Sequence, residues 1–318
     1  MQGRQVAIST SEGLLLPSLI AEAGERASWR FLEFFTINIR NPQTRAAHSR
    51  AAGEILHWCE SRGITQLHDV KPMHGGGYIE QLGKERSGPT VKQDLACLRM
   101  LFYWLATGQV VPSNPAHAVR GRRHSVGKGA TRVITSGGAT ALLVGMDISS
   151  LVGLRDPAIT AVMTYTFARV GAVVALAVED HFPQKKHWWL KLHEKNGKVN
   201  EMPCHPKLAQ YLNDYLESAG IAKERNEPLF RSVKGKTKTL SPLPLSRSDV
   251  WAMIRRRAKD AGTGCHTFRP TGITDYSSNG GKLEVAQGMA GHSNAKTTGL
   301  YDRRSGDISL SEVVRIGI

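Results

Sequence analysis

The sequence predicts a mainly α-helical chain in two domains, with one small β-hairpin or sheet in the second. Three observations carry this. The chain has 318 residues, more than one hydrophobic core usually serves. Apolar residues recur at helical spacing over most of its length. One segment, HWWLKLHEKNGKVNEMP, alternates with period two about an Asn196-Gly197 turn signal instead.

From Ser28 to about Leu105 the pattern is helical. WRFLEFFTINI places Trp29, Leu32, Phe35 and Ile39 on one stripe. TRAAHSRAAGEILHWCESRG does the same with Ala47, Ala51, Ile55 and Trp58, and Gly63 suits its stop. Three consecutive glycines in KPMHGGGYI read as a loop. SGPTVKQDLACLRMLFYWL has Ser87 as N-cap, Pro89 in the first turn and a stripe of Val91, Leu95, Leu98, Phe102 and Leu105. Lys92 and Arg99 fall on another face, either as ordinary solvated charge or as contacts to a nucleic-acid backbone.

After Asn114-Pro115-Ala116 the composition shifts. Residues 117–132 contain Arg120, Arg122, Arg123, Lys128 and Arg132, three glycines and no acid. This reads as a basic interdomain linker, better suited to strap a phosphate backbone than to serve as a plain spacer. Beyond Val133, GATALLVGM and LRDPAITAVMTYTF read as helices. Trp188 to His193 and Val199 to Met202 read as paired strands, and LAQYLNDYLESAG as a helix stopping at Gly220. Pro228 to Leu245 reads as a turn-rich loop, and SDVWAMIRRRAKDAG as a helix capped by Ser248. The divisions are an N-terminal segment 1–19, a helical domain 20–116, the linker 117–132, a second domain 133–304 and a tail 305–318.

Composition narrows the function. The formal charge is +15. A chain this basic repels itself, which points to a polyanionic partner, nucleic acid before an anionic membrane. No apolar run reaches the length of a membrane span, and the N-terminus has no long apolar core of a secretory signal. The four cysteines form no CxxC pair and read as reduced, mostly buried thiols, so the expected location is the cytoplasm. His181, His187 and His193 lack a zinc spacing, and no cluster of acids suggests a two-metal nuclease. No cofactor or metal is expected.

The reactive candidates lie in the second half. Arg169 sits inside the apolar run YTFARVGAVVAL, where an unpaired guanidinium would be costly. In HTFRPTGITDY, His266 and Arg269 share one face if the segment opens a helix. His292 and Tyr301 follow in GHSNAKTTGLY; this stretch is no P-loop, because Ala295 stands where the glycine before the lysine is required.

In order and spacing, Arg169, Lys195, His266, Arg269, His292 and Tyr301 resemble the tyrosine recombinase (phage integrase) family. HTFRPTGIT is similar to the family's second arginine box and GHSNAKTTGLY to its histidine-to-tyrosine box. The family places its lysine on a β-hairpin; Lys195 fits, and Lys198 competes for the role. The resemblance implies a two-domain DNA clamp, a helical core-binding domain followed by an α/β catalytic domain. It implies Tyr301 as nucleophile on a DNA phosphorus, leaving a 3′-phosphotyrosyl bond. Arg169 and Arg269 would hold the non-bridging oxygens, Lys195 would protonate the leaving 5′-oxygen, His266 would act as acid/base and His292 would hydrogen-bond the phosphate. The implied partners are a double-stranded recombination site and a homotetramer on it, with a monomer or dimer off DNA and no membrane. The apolar tail, SGDISLSEVVRIGI, then folds back on its own domain or docks on a neighbouring protomer. A type IB topoisomerase and a catalytically silent DNA-binding regulator remain as alternatives. One position departs from the family pattern: the acidic residue usual three places after the first arginine is Ala172 here, and no substitute is evident in the sequence.

Overall fold

A computed structural model describes residues 16–121, 131–194, 197–235, 239–259, 262–292 and 298. The chain divides into two compact units, residues 1–125 and 126–318.

The first unit is helical: α1 (Ser18–Glu22), α2 (Glu25–Glu33), α3 (Pro42–Ser61), α4 (Pro72–Glu85) and α5 (Gly88–Thr107). Asn41 caps α3 by accepting from the backbone N–H of Gln43 and Thr44, with Pro42 in the first turn. The stripe of Val91, Leu95, Leu98, Phe102 and Leu105 on α5 is fully buried. The stripe expected around α2 is different. Trp29 is 61% exposed, and the buried face is Phe31, Phe34, Phe35 and Ile39. A π-helical turn at Phe34–Asn38 continues α2, and Phe35 packs edge-on against both Phe31 and Phe34 at 5.0 and 4.9 Å.

The triple glycine is not a loop but lies inside α4. Tyr78, Ile79 and Leu82 bury one face of this helix, and the glycines admit close neighbours. A Cβ on Gly75 would lie 3.2 Å from Val119 Cγ2, and one on Gly77 would lie 3.4 Å from the Trp58 ring. Burial of that face outweighs a propensity penalty of about 1 kcal/mol per glycine. Asn114-Pro115-Ala116 fastens the end of the unit: Asn114 Nδ2 donates to Arg99 O, and its Oδ1 accepts from Ala116 N. Arg99 in turn donates to the carbonyls of Ala116 and Val119.

The second unit comprises α6 (Ser136–Val144), α7 (Leu151–Tyr165), α8 (Val170–Val174), β1 (His181–Gln184), β2 (His187–His193), β3 (Val199–Pro203), α9 (Pro206–Ala219), β4 (Arg231–Val233), β5 (Leu240–Pro244), α10 (Arg247–Ala258), α11 (Cys265–Ser278) and α12 (Leu283–Met289). β2 is the centre of an antiparallel β1–β2–β3 sheet, with Leu190 opposite Met202 and Lys191 opposite Glu201. Alternation puts Leu190 and Leu192 in the core, as the hairpin pattern predicted. The expected loop over 228–245 is instead a two-stranded hairpin, β4 with β5. Its prolines sit on exposed positions of β5, where a missing N–H is tolerated. The cap of α10 is Ser246, not Ser248: Ser246 Oγ accepts from Asp249 N while Asp249 Oδ2 accepts from Ser246 N. Ser87 stands at the N-cap of α5, but its hydroxyl pairs with Thr90 Oγ1 and not with a backbone N–H.

A buried ion cluster joins α7 to the far end of α10. Asp156 is wholly buried; it accepts from Arg257 Nε and Nη2 at 3.0 and 2.8 Å and from Arg155 Nη2 at 3.1 Å. Removing one partner of a buried pair strands the other charge, at about 3–5 kcal/mol. Asp156→Ala should therefore destabilise the second unit by about that amount, read as a shift of its denaturant-unfolding midpoint.

Candidate active site

The site is built where three segments meet around the turn after α12. The first is the stretch between α7 and α8. Phe167 adopts a left-handed backbone, φ 57°, a conformation that costs a non-glycine residue of order 1 kcal/mol and persists only when neighbours enforce it. α11 is the enforcing neighbour. A Cβ on Gly272 would fall 2.4 Å from Thr164 O and 2.7 Å from the Phe167 ring, so only glycine lets α11 approach this closely. Two residues past Phe167, Arg169 occupies the N-cap of α8.

α11 supplies the second pair. His266 and Arg269 lie one turn apart, as expected of a helix start, yet their environments differ: His266 is exposed and Arg269 is 2% exposed. The Arg269 guanidinium donates to Phe167 O on one side and Ala290 O on the other. It thus ties the Arg169 segment to the His292 segment. Carbonyl partners orient it without neutralising its charge.

The third segment is the turn Ala290-Gly291-His292. Gly291 takes φ 61°, which reverses the chain after α12 and presents His292. His292 is buried, its backbone N–H bonds to Gln287 O, and Gln287 Nε2 donates to its carbonyl. Burial first, then the charges of Arg269, Arg169 and Lys198, push its imidazole down to about 4. The ring is neutral near pH 7, so Nδ1 and Nε2 share one proton between them. Nδ1 lies 2.8 Å from Thr298 Oγ1, and Thr298 is fully buried.

Arg169, Arg269 and His292 therefore share one locality, with Lys198 close enough to act on the same imidazole. His266 is on the same helix as Arg269 but solvent-facing. Lys195 and Tyr301 lie outside the described residues. So do Arg122, Arg123 and Lys128 of the basic linker and the tail. Of the other expected DNA contacts, Lys92 and Arg120 are exposed, Arg132 is exposed beside Gly262, and Arg99 is engaged with two carbonyls of its own unit.

Two site residues escaped the sequence reading. Thr298 is buried against His292; its only advance signal was its place between His292 and Tyr301 in GHSNAKTTGLY. Glu194 accepts from Arg169 Nη1 at 2.8 Å. No adjacent motif marks it, although Arg169 in an apolar run implied that some partner exists. His205 stacks on Tyr165 at 4.3 Å, and in the adjacent pair Cys265-His266 the cysteine is buried and the histidine exposed. Among the described residues no group of three or more His, Cys, Asp or Glu could hold a metal ion, and no helix is long and apolar enough to cross a membrane.

Comparisons with known proteins bear on the family and the fold. The profile of the phage integrase family matches residues 135–306. Tyrosine recombinase XerD of Corynebacterium glutamicum is 25% identical over 290 residues, covering 86% of this chain and 90% of that protein. The same-named protein of Staphylococcus saprophyticus is 29% identical over 168 residues, covering 51% of this chain and 54% of that protein. The fold is shared with XerH site-specific recombinase bound to difH substrate, with a TM-score of 0.65 at 13% identity, covering 92% of this chain and 84% of that one. It is shared too with a lambda integrase dimer bound to a COC′ core site, with a TM-score of 0.63 at 17% identity, covering 89% and 97%. With the family profile spanning more than half of its length, the chain belongs to the phage integrase family, the tyrosine recombinases.

Proposed function

We propose that this protein recombines DNA at a specific double-stranded site, cutting and rejoining through a 3′-phosphotyrosyl bond at Tyr301, in the integration or excision of a mobile element. The carrying observation is the gathering of Arg169, Arg269 and His292 about one turn, where burial first and the neighbouring cations second keep the imidazole neutral. Such a place offers charge and hydrogen-bond donors to an anion.

The chemistry follows from the residue types. A phenol has a free pKa of about 10, and nearby cations favour its phenolate. The Tyr301 oxygen attacks phosphorus, the bond to the 5′-oxygen breaks, and Lys195 protonates the departing 5′-oxygen to give a 5′-hydroxyl. His266, on the exposed side of α11, exchanges the phenolic proton. Arg169 and Arg269 stabilise the charge that grows on the pentacoordinate phosphorus. Neutral His292 donates one hydrogen bond to a non-bridging oxygen. The phosphodiester energy is kept in the tyrosyl ester, so attack by a 5′-hydroxyl of a partner strand rejoins DNA without ATP. On the recombination site the protein works as a homotetramer, and the basic residues Lys92, Arg120, Arg122, Arg123, Lys128 and Arg132 contact the phosphate backbone.

Three outcomes test this reading. A nicked suicide duplex, carrying the site that the wild type selects from a random-sequence duplex pool, should trap a covalent protein–DNA adduct resolvable by denaturing electrophoresis. Tyr301→Phe should trap none. A wild type that traps no adduct ends the recombinase reading, and relaxation of any plasmid by the lone protein moves it to a topoisomerase. On the same duplex, Lys195→Ala should slow cleavage about 10²–10³-fold, the usual loss for one donor at a transition state, and Lys198→Ala should slow it less; the reverse order assigns the general acid to Lys198.

The third outcome concerns pH. His292 is held below its ordinary range in the free protein, so the unfolded chain binds the extra proton between about pH 6.5 and about 4. Stability from this residue is present above about pH 6.5 and is lost as pH falls through about 4. A DNA phosphate brings negative charge and should move the midpoint upward. NMR titration of the His292 ring, with and without the selected duplex, checks the direction.

A further inference from the structure

Ala172, three residues after Arg169, is buried and uncharged, yet Arg169 is not without an acid. Glu194 supplies one from a different element. It follows β2 directly, and its backbone N–H closes the β2–β3 hairpin by donating to Lys198 O at 2.7 Å. Its carboxylate accepts from Arg169 Nη1 at 2.8 Å. Its methylene lies against the turn before His292, where a Cβ on Gly291 would come within 3.5 Å of Glu194 Cγ. One residue therefore joins the start of α8 through its carboxylate, the end of the hairpin through its backbone, and lies beside the turn that presents His292.

The burial of the two partners is unequal. The Glu194 side chain is 4% exposed and that of Arg169 is 39% exposed. The acid is withdrawn and the guanidinium accessible, which is the order required if an anion is to approach from solvent. A long, half-exposed arginine loses its geometry readily unless something fixes it. A carboxylate on one of its nitrogens fixes it without competing at the accessible side.

We propose that Glu194 is the positioning residue for Arg169, performing from the hairpin the task that an acid at position 172 would perform from α8. Because Lys195 is the next residue, the placement of Arg169 and of the hairpin lysine are then coupled through one peptide. This inference rests on the recombinase reading, and the experiment separates the two failures.

Single-turnover cleavage of the selected nicked duplex is measured beside DNA affinity and thermal unfolding, using the full chain. Glu194→Gln keeps the size and removes the charge. It should slow cleavage about 10- to 100-fold, the scale of a displaced reacting group, with duplex affinity and melting temperature unchanged. Glu194→Asp should recover part of the loss. The double variant Glu194→Gln with Ala172→Glu should recover most of it, because the carboxylate is restored from the other side. Cleavage by Glu194→Gln at the wild-type rate overturns the proposal. So does a loss of rate that tracks a loss of melting temperature and that is repaired neither by Glu194→Asp nor by adding Ala172→Glu. A wild type that forms no adduct is seen before any variant is tested, and it removes the recombinase reading itself.

Discussion

Like charges brought to one place repel, and that repulsion is the constraint on which the site's architecture depends. Arg169, Arg269 and Lys198 all act on the imidazole of His292. With no anion present, each extra cation raises the cost of the others. The chain answers in three ways. Arg269 is buried between two backbone carbonyls, Phe167 O and Ala290 O. Arg169 is paired with the carboxylate of Glu194. His292, lowered first by its own burial and then by those cations, remains neutral. Each solution lowers the electrostatic cost while keeping donors in the same locality, and an arriving phosphate would collect what the cations had to endure without it.

The rest of the second unit is arranged to hold those three solutions together. Arg269 can reach both carbonyls only because α11 lies close against the end of α7, and that approach depends on the bare backbone of Gly272. The close approach in turn sets Phe167 in a left-handed conformation, two residues before Arg169. The Asp156 cluster fixes the opposite end of α7 to α10 with two guanidinium hydrogen bonds from Arg257. The site is thus supported by helix packing at one end and by a buried ion cluster at the other. Gly272 and Asp156 themselves have no part in the chemistry, so damage to either acts through position and stability.

What could be read beforehand divides along physical lines. Periodicity revealed elements whose burial is one-sided: the α5 stripe and the β2–β3 hairpin both came through the alternation of apolar residues. Composition misled where burial overrode it. The glycines of α4 look like a breaker, but Tyr78, Ile79 and Leu82 hold that helix down, and Val119 and Trp58 use the space the glycines leave. The prolines of 228–245 look like a loop, but Pro242 and Pro244 take exposed places on β5. Trp29 looks like core by its chemistry, yet the π-helical turn at Phe34–Asn38 follows a face made by Phe31, Phe34 and Phe35. Residue types with rare chemistry, two arginines and two histidines at family spacing, announced themselves in the sequence. Glu194 and Thr298 did not, because a glutamate or a threonine is common and only its partner makes it part of a site.

Glu194 shows why a missing residue in a family pattern should be sought in space and not along the chain. A carboxylate can hold a guanidinium from any direction that meets its planar edge. What the interaction fixes is a distance, 2.8 Å here, and the two groups that share it. The backbone that delivers the acid is free to vary, provided it is itself rigid. The β2–β3 hairpin meets that condition through five registered pairs, from Trp189–Pro203 to His193–Val199, and through the Glu194–Lys198 backbone bond that ends it. α8, by contrast, is a single short helix of five residues. Moving the acid from α8 to the hairpin takes the support of Arg169 from a short helix to the end of a sheet, one residue before Lys195 in the sequence.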